Sequence, residues 1–277
     1  MQVAETLTTM TEFITLPSGR VLEVEHFGSG TPILVLPGLG CTTALFSLIL
    51  PELYHTGHYV MVNPRGMGAS DRAEEDYEVA DLAIDALFVM SKLGFDSFHV
   101  IGVSFGGFIA QELYELTPHR FLSLTLICST GAGPEFLPLP ELKDEDLERF
   151  YELDPRVRAE LSVNSTVHPS LQTENPGLFQ EIVSHRTHPS MEAGQVIYQN
   201  HGAKAFLKGS INYQNFRCPT LIISGTTDRF VPVENALRLQ RQIPGAKLLL
   251  IDNADHLVVL EKPVEVALGL RQFWEAL

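Results

Sequence analysis

Residues 96–110, DSFHVIGVSFGGFIA, constrain the chain most, because the hydrophobic spacing there changes from a strand's to a helix's across one residue, Ser104. Phe98, Val100, Ile101 and Val103 are aromatic or β-branched over a strand's length, whereas Phe108, Ile109 and Leu113 recur at helical spacing. Gly102, Ser104 and Gly106 form G-x-S-x-G. A side chain at either glycine would collide with the neighbouring strand or helix across so tight a turn. The pattern therefore predicts a serine held proud of a sheet edge, in a strained conformation, at the positive end of the new helix. An ordinary strand-to-helix turn also fits five residues. The strand before, the Gly106-Gly107 pair and the apolar helix after are the context that a nucleophile turn requires.

The flanking chain repeats the strand-and-helix rhythm. Residues 13–27 read as a hairpin around Pro17-Ser18-Gly19, and 31–36 (TPILVL) as a strand covered on both faces, ended by a Pro-Gly-Leu-Gly loop at 37–40. A helix capped by Thr42 or Thr43 is predicted next, with Leu45, Phe46, Ile49 and Leu53 on one side. A strand at 59–62, a turn-rich loop at 63–71 and an amphipathic helix at 77–93 lead into the strand before Ser104, and 121–128 reads as the strand after. Such alternation predicts an α/β fold with a mostly parallel sheet, the first hairpin as its antiparallel edge, and sites at the carboxyl ends of strands. From 129 to 217 the rhythm changes to helices, predicted at 140–153, 154–163, 176–184 and 189–206. Strands resume at 219–224 and 247–251, with helices at 233–242 and 263–277. The division predicted is a core of residues 1–130 and 218–277 with a helical insertion at 131–217.

With 45% hydrophobic residues, 277 residues suffice for a large core. A balance of 19 Lys and Arg against 34 Asp and Glu, net −15, argues against nucleic acid or an anionic membrane surface as a partner. Cys41, Cys128 and Cys218 are widely spaced and unpaired in sequence, so they read as reduced core thiols. The first residues carry neither a basic start nor an apolar run, and no stretch is long enough to cross a bilayer; a cytoplasmic location is the resulting expectation, with no membrane insertion.

A serine hydroxyl is a weak nucleophile that needs a base, and the base needs an orienting acid. His256 follows the 247–251 strand in DNADH, and Asp228 follows the 219–224 strand in GTTDRFVP, so each lies at its own strand end and the order is Ser, Asp, His. Glu135 and Asp252 are the fallback acids. On these residues the chain resembles the α/β-hydrolase fold superfamily over nearly its whole length. Gly225, Asp228, Val231 and Pro232 match that family's acid loop, and His256, Glu261 and Pro263 match its histidine segment. The resemblance implies an eight-stranded, mostly parallel sheet flanked by helices, a helical cap at 131–217, and an oxyanion hole formed by the Phe105 and Leu39 amides. Three residues depart from the pattern. Pro37 replaces a histidine that usually braces the oxyanion loop, Asn63 replaces an aspartate, and Asp255 replaces a glycine and puts a second carboxylate near His256.

The bland readings compete with these. His99 reads as a packed or surface ring, and His26, His55, His58 and His119 as solvated. His168, His185, His188 and His201 belong to the presumed cap and are candidates to face a substrate. Metal ligation lacks a partner set. Phe136, Leu137, Phe150, Tyr151, Phe179 and Tyr198 suggest an apolar cap wall. Cys41 reads as packed. The expectation is a hydrolase without cofactor or metal, acting on a small ester or lactone through an acyl-enzyme on Ser104. The alternatives are a C–C bond hydrolase, an acyltransferase or a lyase using the same residues, or a ligand receptor that retains them.

Overall fold

A computed structural model describes residues 9–187 and 191–277. Among them, eight strands form one sheet: β1 Met10–Thr15, β2 Val21–Gly28, β3 Pro32–Leu36, β4 His58–Val62, β5 Phe98–Val103, β6 Phe121–Ile127, β7 Thr220–Gly225 and β8 Lys247–Ile251. Their order is β1-β2-β4-β3-β5-β6-β7-β8. The β1–β2 and β2–β4 pairs are antiparallel and the rest parallel, which is the predicted arrangement. Because the chain runs outward from β3 to β4 and then returns to place β5 on β3's other side, the loops after β3 and β5 diverge and leave a crevice at their carboxyl ends.

Strand side chains alternate between two cores. Leu34, Leu36, Val60, Val62 and Val100 join one cluster with α1 Val79–Lys92 and α2 Phe105–Leu116, while Ile33, Val35, Tyr59, Met61 and Ile101 join the other. That second cluster is closed by α9 Val258–Glu261 and α10 Pro263–Glu275. Burial on both faces accounts for the unbroken apolar runs, each fully buried Val, Leu or Ile contributing roughly 1.5–3 kcal/mol.

The helix predicted after Thr42 is instead two 3₁₀ turns, Thr43–Phe46 and Leu50–Leu53. Thr42 caps the first by accepting from the Ala44 amide, and Pro51, which has no N–H, stands in the second, where a continuous helix needs a donor. His26 corrects a second expectation: it lies in β2, is buried, and its Nδ1 is 3.1 Å from His58 Nε2. His58 is half-buried, and burial together with His26 lowers its pKa; His55 and His119 are exposed, as predicted.

Between β6 and β7 the described residues form helices and no strand: α3 Asp144–Glu152, α4 Pro155–Thr166, α5 Leu171–Glu174, α6 Pro176–His185 and α7 Ala193–Lys208. The first begins later than predicted, at Asp144 and not at Pro140, with Lys143 extended before it. Asp154 and Asn175 cap α4 and α6, each just before a first-turn proline. The predicted start of the last insertion helix, at 189, lies outside the described residues. Beyond β7, α8 Val233–Gln242 packs on β7 and β8. No helix among the described residues is long and apolar enough to cross a membrane.

Candidate active site

Ser104 stands between β5 and α2 with φ 53° and ψ −116°, a conformation costly for a residue with a side chain. The surrounding glycines allow it. A Cβ on Gly106 would lie 2.1 Å from Leu36 O, and one on Gly102 2.4 Å from Gly106 O. Hydrogen bonds then fix the turn: Ser104 N donates to Ile127 O at 2.8 Å, and Ser104 O accepts from Gly107 N at 2.8 Å and from Ser129 Oγ at 2.9 Å.

His256 Nε2 is 2.9 Å from Ser104 Oγ, and its Nδ1 is 3.0 Å from Asp228 Oδ2. The carboxylate can only accept, so it holds the proton on Nδ1 and leaves Nε2 free to accept the serine O–H. Asp228 is buried, and its other oxygen accepts from the Phe230 and Val231 amides at 2.9 and 2.8 Å. Gly225 brings the two loops together, since a Cβ there would lie 2.2 Å from Ala254 O. Glu261 braces the histidine loop by accepting from the Asp255 and His168 amides, both at 2.9 Å, and burial raises its pKa.

Asp255 does not put a second carboxylate on the imidazole. Its oxygens accept from Arg229 Nε and from the Arg229 and His256 amides, so the charge is consumed by a neighbouring arginine. Cys128, at the end of β6, shares the floor with Asp228 and His256, the three ligand-type atoms lying within 4.8 Å of one another. Burial pushes the Cys128 thiol well up, and the Asp228 carboxylate adds to the shift, so the thiolate that a metal needs is disfavoured.

Neither the Phe105 nor the Leu39 amide has a protein acceptor among the described residues, and both residues line the cavity with Ser104. Pro37 offers this loop no side-chain brace, and a residue from the insertion supplies one: Gln199 Oε1, on α7, accepts from Gly40 N at 2.8 Å. Sequence reasoning missed Gln199. Its one signal was the repeat of glutamine at 195 and 199, one turn apart on a helix face; Gln195 likewise bonds the Ala73 amide and carbonyl at 2.8 and 3.0 Å. Asn63 accepts from Thr43 N at 2.8 Å and donates to Glu23 at 2.7 Å, while Arg65 makes a bidentate pair with Asp85 at 2.6 and 3.0 Å.

Two chambers meet at Ser104 and Leu39. One, of about 600 Å³, has Phe105, Phe108, Phe136, Leu137 and Leu207 in its walls. The other, of about 380 Å³, is bounded by Cys41, Leu45, Phe150, Tyr151, Arg186 and His256. Phe136, Leu137, Phe150 and Tyr151 therefore form walls, as predicted. Phe179 and Tyr198 do not: Phe179 is buried in the second core, and Tyr198 packs on the first. His168, His185 and His201 do not line either chamber. His168 bonds Ser170, His201 bonds Asp76 and Asp144, and His188 lies outside the described residues. His99 packs between Ser123 and Trp274. The fallback acids Glu135 and Asp252 are exposed, and Cys41 is buried with its thiol 3.4 Å from Leu39 O.

Residues 31–263 match the family described as alpha/beta hydrolase fold. The AB hydrolase superfamily protein YisY of Bacillus subtilis strain 168 is 27% identical over 277 residues, which span 95% of this chain and 99% of YisY. A poly(3-hydroxyalkanoate) depolymerase of Ectopseudomonas oleovorans is 24% identical over 244 residues, 88% of this chain and 84% of the depolymerase. A thermophilic esterase from Thermogutta terrifontis shares the fold with a TM-score of 0.79 at 22% identity, over 97% of this chain and 98% of the esterase.

Proposed function

The chain belongs to the alpha/beta hydrolase fold family, and from that premise we propose that it is a serine hydrolase cleaving a small ester or lactone. Ser104 is the nucleophile, His256 the proton carrier and Asp228 the group that orients it. As Ser104 Oγ bonds to the substrate carbonyl carbon, its proton passes to His256 Nε2 and the carbonyl oxygen becomes an oxyanion, which the Leu39 and Phe105 amides stabilise. Collapse breaks the bond to the alkoxy oxygen, and His256 gives that oxygen the proton, releasing an alcohol. Water then attacks the acyl-enzyme, again giving a proton to His256, which returns it to Ser104 as the acid leaves. Residues 131–217 act as a cap over a core of 1–130 and 218–277, closing the cavity above the serine.

The observation that carries this reading is the continuous relay from a buried, amide-fixed carboxylate through one imidazole to the hydroxyl of a strained turn, at 3.0 and 2.9 Å. The esterase named among the structures of like fold and the depolymerase among the relatives support the ester bond as the one broken. A fluorophosphonate probe is expected to label the wild-type protein and not Ser104→Ala, and Ser104→Ala should lose on the order of 10⁴-fold or more in ester turnover. Product analysis with p-nitrophenyl esters of rising chain length, lactones and vinylogous diketones then separates ester from C–C bond cleavage. Equal labelling of both proteins would remove Ser104 from the chemistry.

A further inference from the structure

The chamber that contains His256 holds an arginine with no carboxylate paired to it among the described residues. Arg186 follows the last turn of α6, where its amide is bonded to the helix carbonyls, and its side chain reaches the chamber wall. Nη1 donates to Cys41 Sγ at 2.8 Å, and the buried Nε has no partner. Among the described residues no carboxylate lies within 4.0 Å of the guanidinium, although the chain carries an excess of acids. The acidic side chains of the same wall, Glu141 and Asp146, are exposed, and Asp146 faces Arg149. Arg65, half-buried like Arg186, is by contrast paired with Asp85. A guanidinium cannot shed its proton, so a half-buried one whose Nε is shut off from solvent without an acceptor carries a cost that an added acceptor on its other donors would offset.

Its position relates it to the chemistry. A Cβ on Gly38 would lie 3.5 Å from both Ser104 Cβ and Cys41 Sγ, so the sulfur that Arg186 contacts is a side chain's breadth from the serine. The two chambers also differ in the groups they share with the reaction. His256 lines only the one with Arg186, and the imidazole must hand its proton to the alkoxy oxygen. On that proton transfer the alcohol arm of a substrate belongs in the Arg186 chamber, and the acyl arm in the other.

Resting on the serine hydrolase reading, we propose that the substrate is an ester whose alcohol arm carries a carboxylate a few bonds from the ester oxygen, and that Arg186 pairs with that carboxylate. The planar fork of the guanidinium fits two carboxylate oxygens.

The test uses a matched pair of probes, the hexanoate ester of 4-hydroxybutanoate and the hexanoate ester of 4-hydroxybutanamide, which differ in charge and hardly in shape. Wild type should favour the carboxylate in kcat/KM by on the order of tenfold to a hundredfold. Arg186→Gln should bring the ratio to about one, and Arg186→Lys should keep part of it. Each protein's ratio is its own control, so a general loss of activity does not imitate the result. A wild-type ratio near one, or a ratio that survives Arg186→Gln, overturns the proposal. Calorimetric titration of Ser104→Ala with the same pair separates the two readings. Tighter binding of the carboxylate there, lost when Arg186→Gln is added, upholds the carboxylate site even if no ester is turned over. Turnover of both esters without discrimination upholds the hydrolase reading and sinks the carboxylate site.

Discussion

At Gly106 an added Cβ would stand 2.1 Å from a backbone oxygen of β3, whereas at Gly194, in the first turn of α7, it would meet nothing within 4 Å. The same contrast runs through the two regions to which these residues belong. Around Ser104 the main chain itself is in contact, strand against turn against strand end, so the position of the hydroxyl follows from backbone geometry that no rotamer can relax. The insertion is tied to the core by side chains, Gln195 to Ala73, Gln199 to Gly40 and His201 to Asp76, and at main-chain points such as Leu257 N to Thr166 O at 2.8 Å. A nucleophile built the first way has one place to be. A pocket wall built the second way can be changed one contact at a time.

The contrast is broken most forcefully by one substitution made in both regions. Gly106→Ala must move β3 or the turn, and a loss of about 3 kcal/mol or more is expected, seen as a fall in Tm of about 6–12 °C or as insoluble protein. Gly194→Ala should raise stability by about 0.5–1 kcal/mol, because a helical glycine is replaced where there is room. If both variants melt within about 2 °C of wild type, the turn is not held by backbone contact.

Gln199 lies where the two regions meet, since it belongs to α7 but serves the loop that carries Leu39. Gln199→Met keeps the volume and leaves the buried Gly40 amide without an acceptor, which should cost about 1–3 kcal/mol in stability. It should also lower kcat for esters more than it raises KM if, as proposed, the Leu39 amide is an oxyanion donor, because its loop loses its brace. A rise in KM with kcat unchanged would assign Gln199 to substrate binding alone and sharpen the boundary between the regions.

What was legible in the chain follows the same division. The strand, turn and helix around Ser104 could be read because a change of period and two sterically required glycines are local signals. The loops carrying Asp228 and His256 follow clear apolar strands, and the three side chains do meet. Four-residue helices such as α5 and α9 are too short to show a period, and Pro51 turned an apparently amphipathic stretch into 3₁₀ turns. The partners that matter most in the insertion were not legible. Gln199 and Arg186 are polar residues on helices, which a sequence reads as solvated, and their partners Gly40 and Cys41 lie about as far away in the chain as the insertion allows. Asp255 does lie against His256, whose amide it accepts, but its partner Arg229 was hidden for the same reason, since it reaches Asp255 only through the fold.

The smallest effect concerns the outermost tie. His201 stands between Asp144 and Asp76, with both ring nitrogens 2.8 Å from a carboxylate oxygen, and Lys204 is 3.7 Å from the same Asp144. Only the protonated ring can donate to both, and the hydrogen bonds to Asp144 and then Asp76 raise its pKa. A raised folded value means that the stabilisation is fully present below the ordinary imidazole range, roughly pH 6.5, and is lost as the pH climbs through the folded value. Asp144 moves the opposite way: the hydrogen bond from His201 holds its carboxyl below the usual range, so its share is present above the ordinary carboxylate value, about 3.9, and is lost as the pH falls through the lowered one. The tie is therefore strongest at mildly acidic pH. Solvent screens the partly exposed pair, so its contribution is about 1 kcal/mol or less. Melting wild type and His201→Gln side by side from pH 5 to pH 9 should give a Tm gap of about 2 °C at the acid end that closes toward the alkaline end. A gap that stays constant over that range would mean that His201 holds the insertion by packing, and that charge plays no part in how this region is fastened to the core.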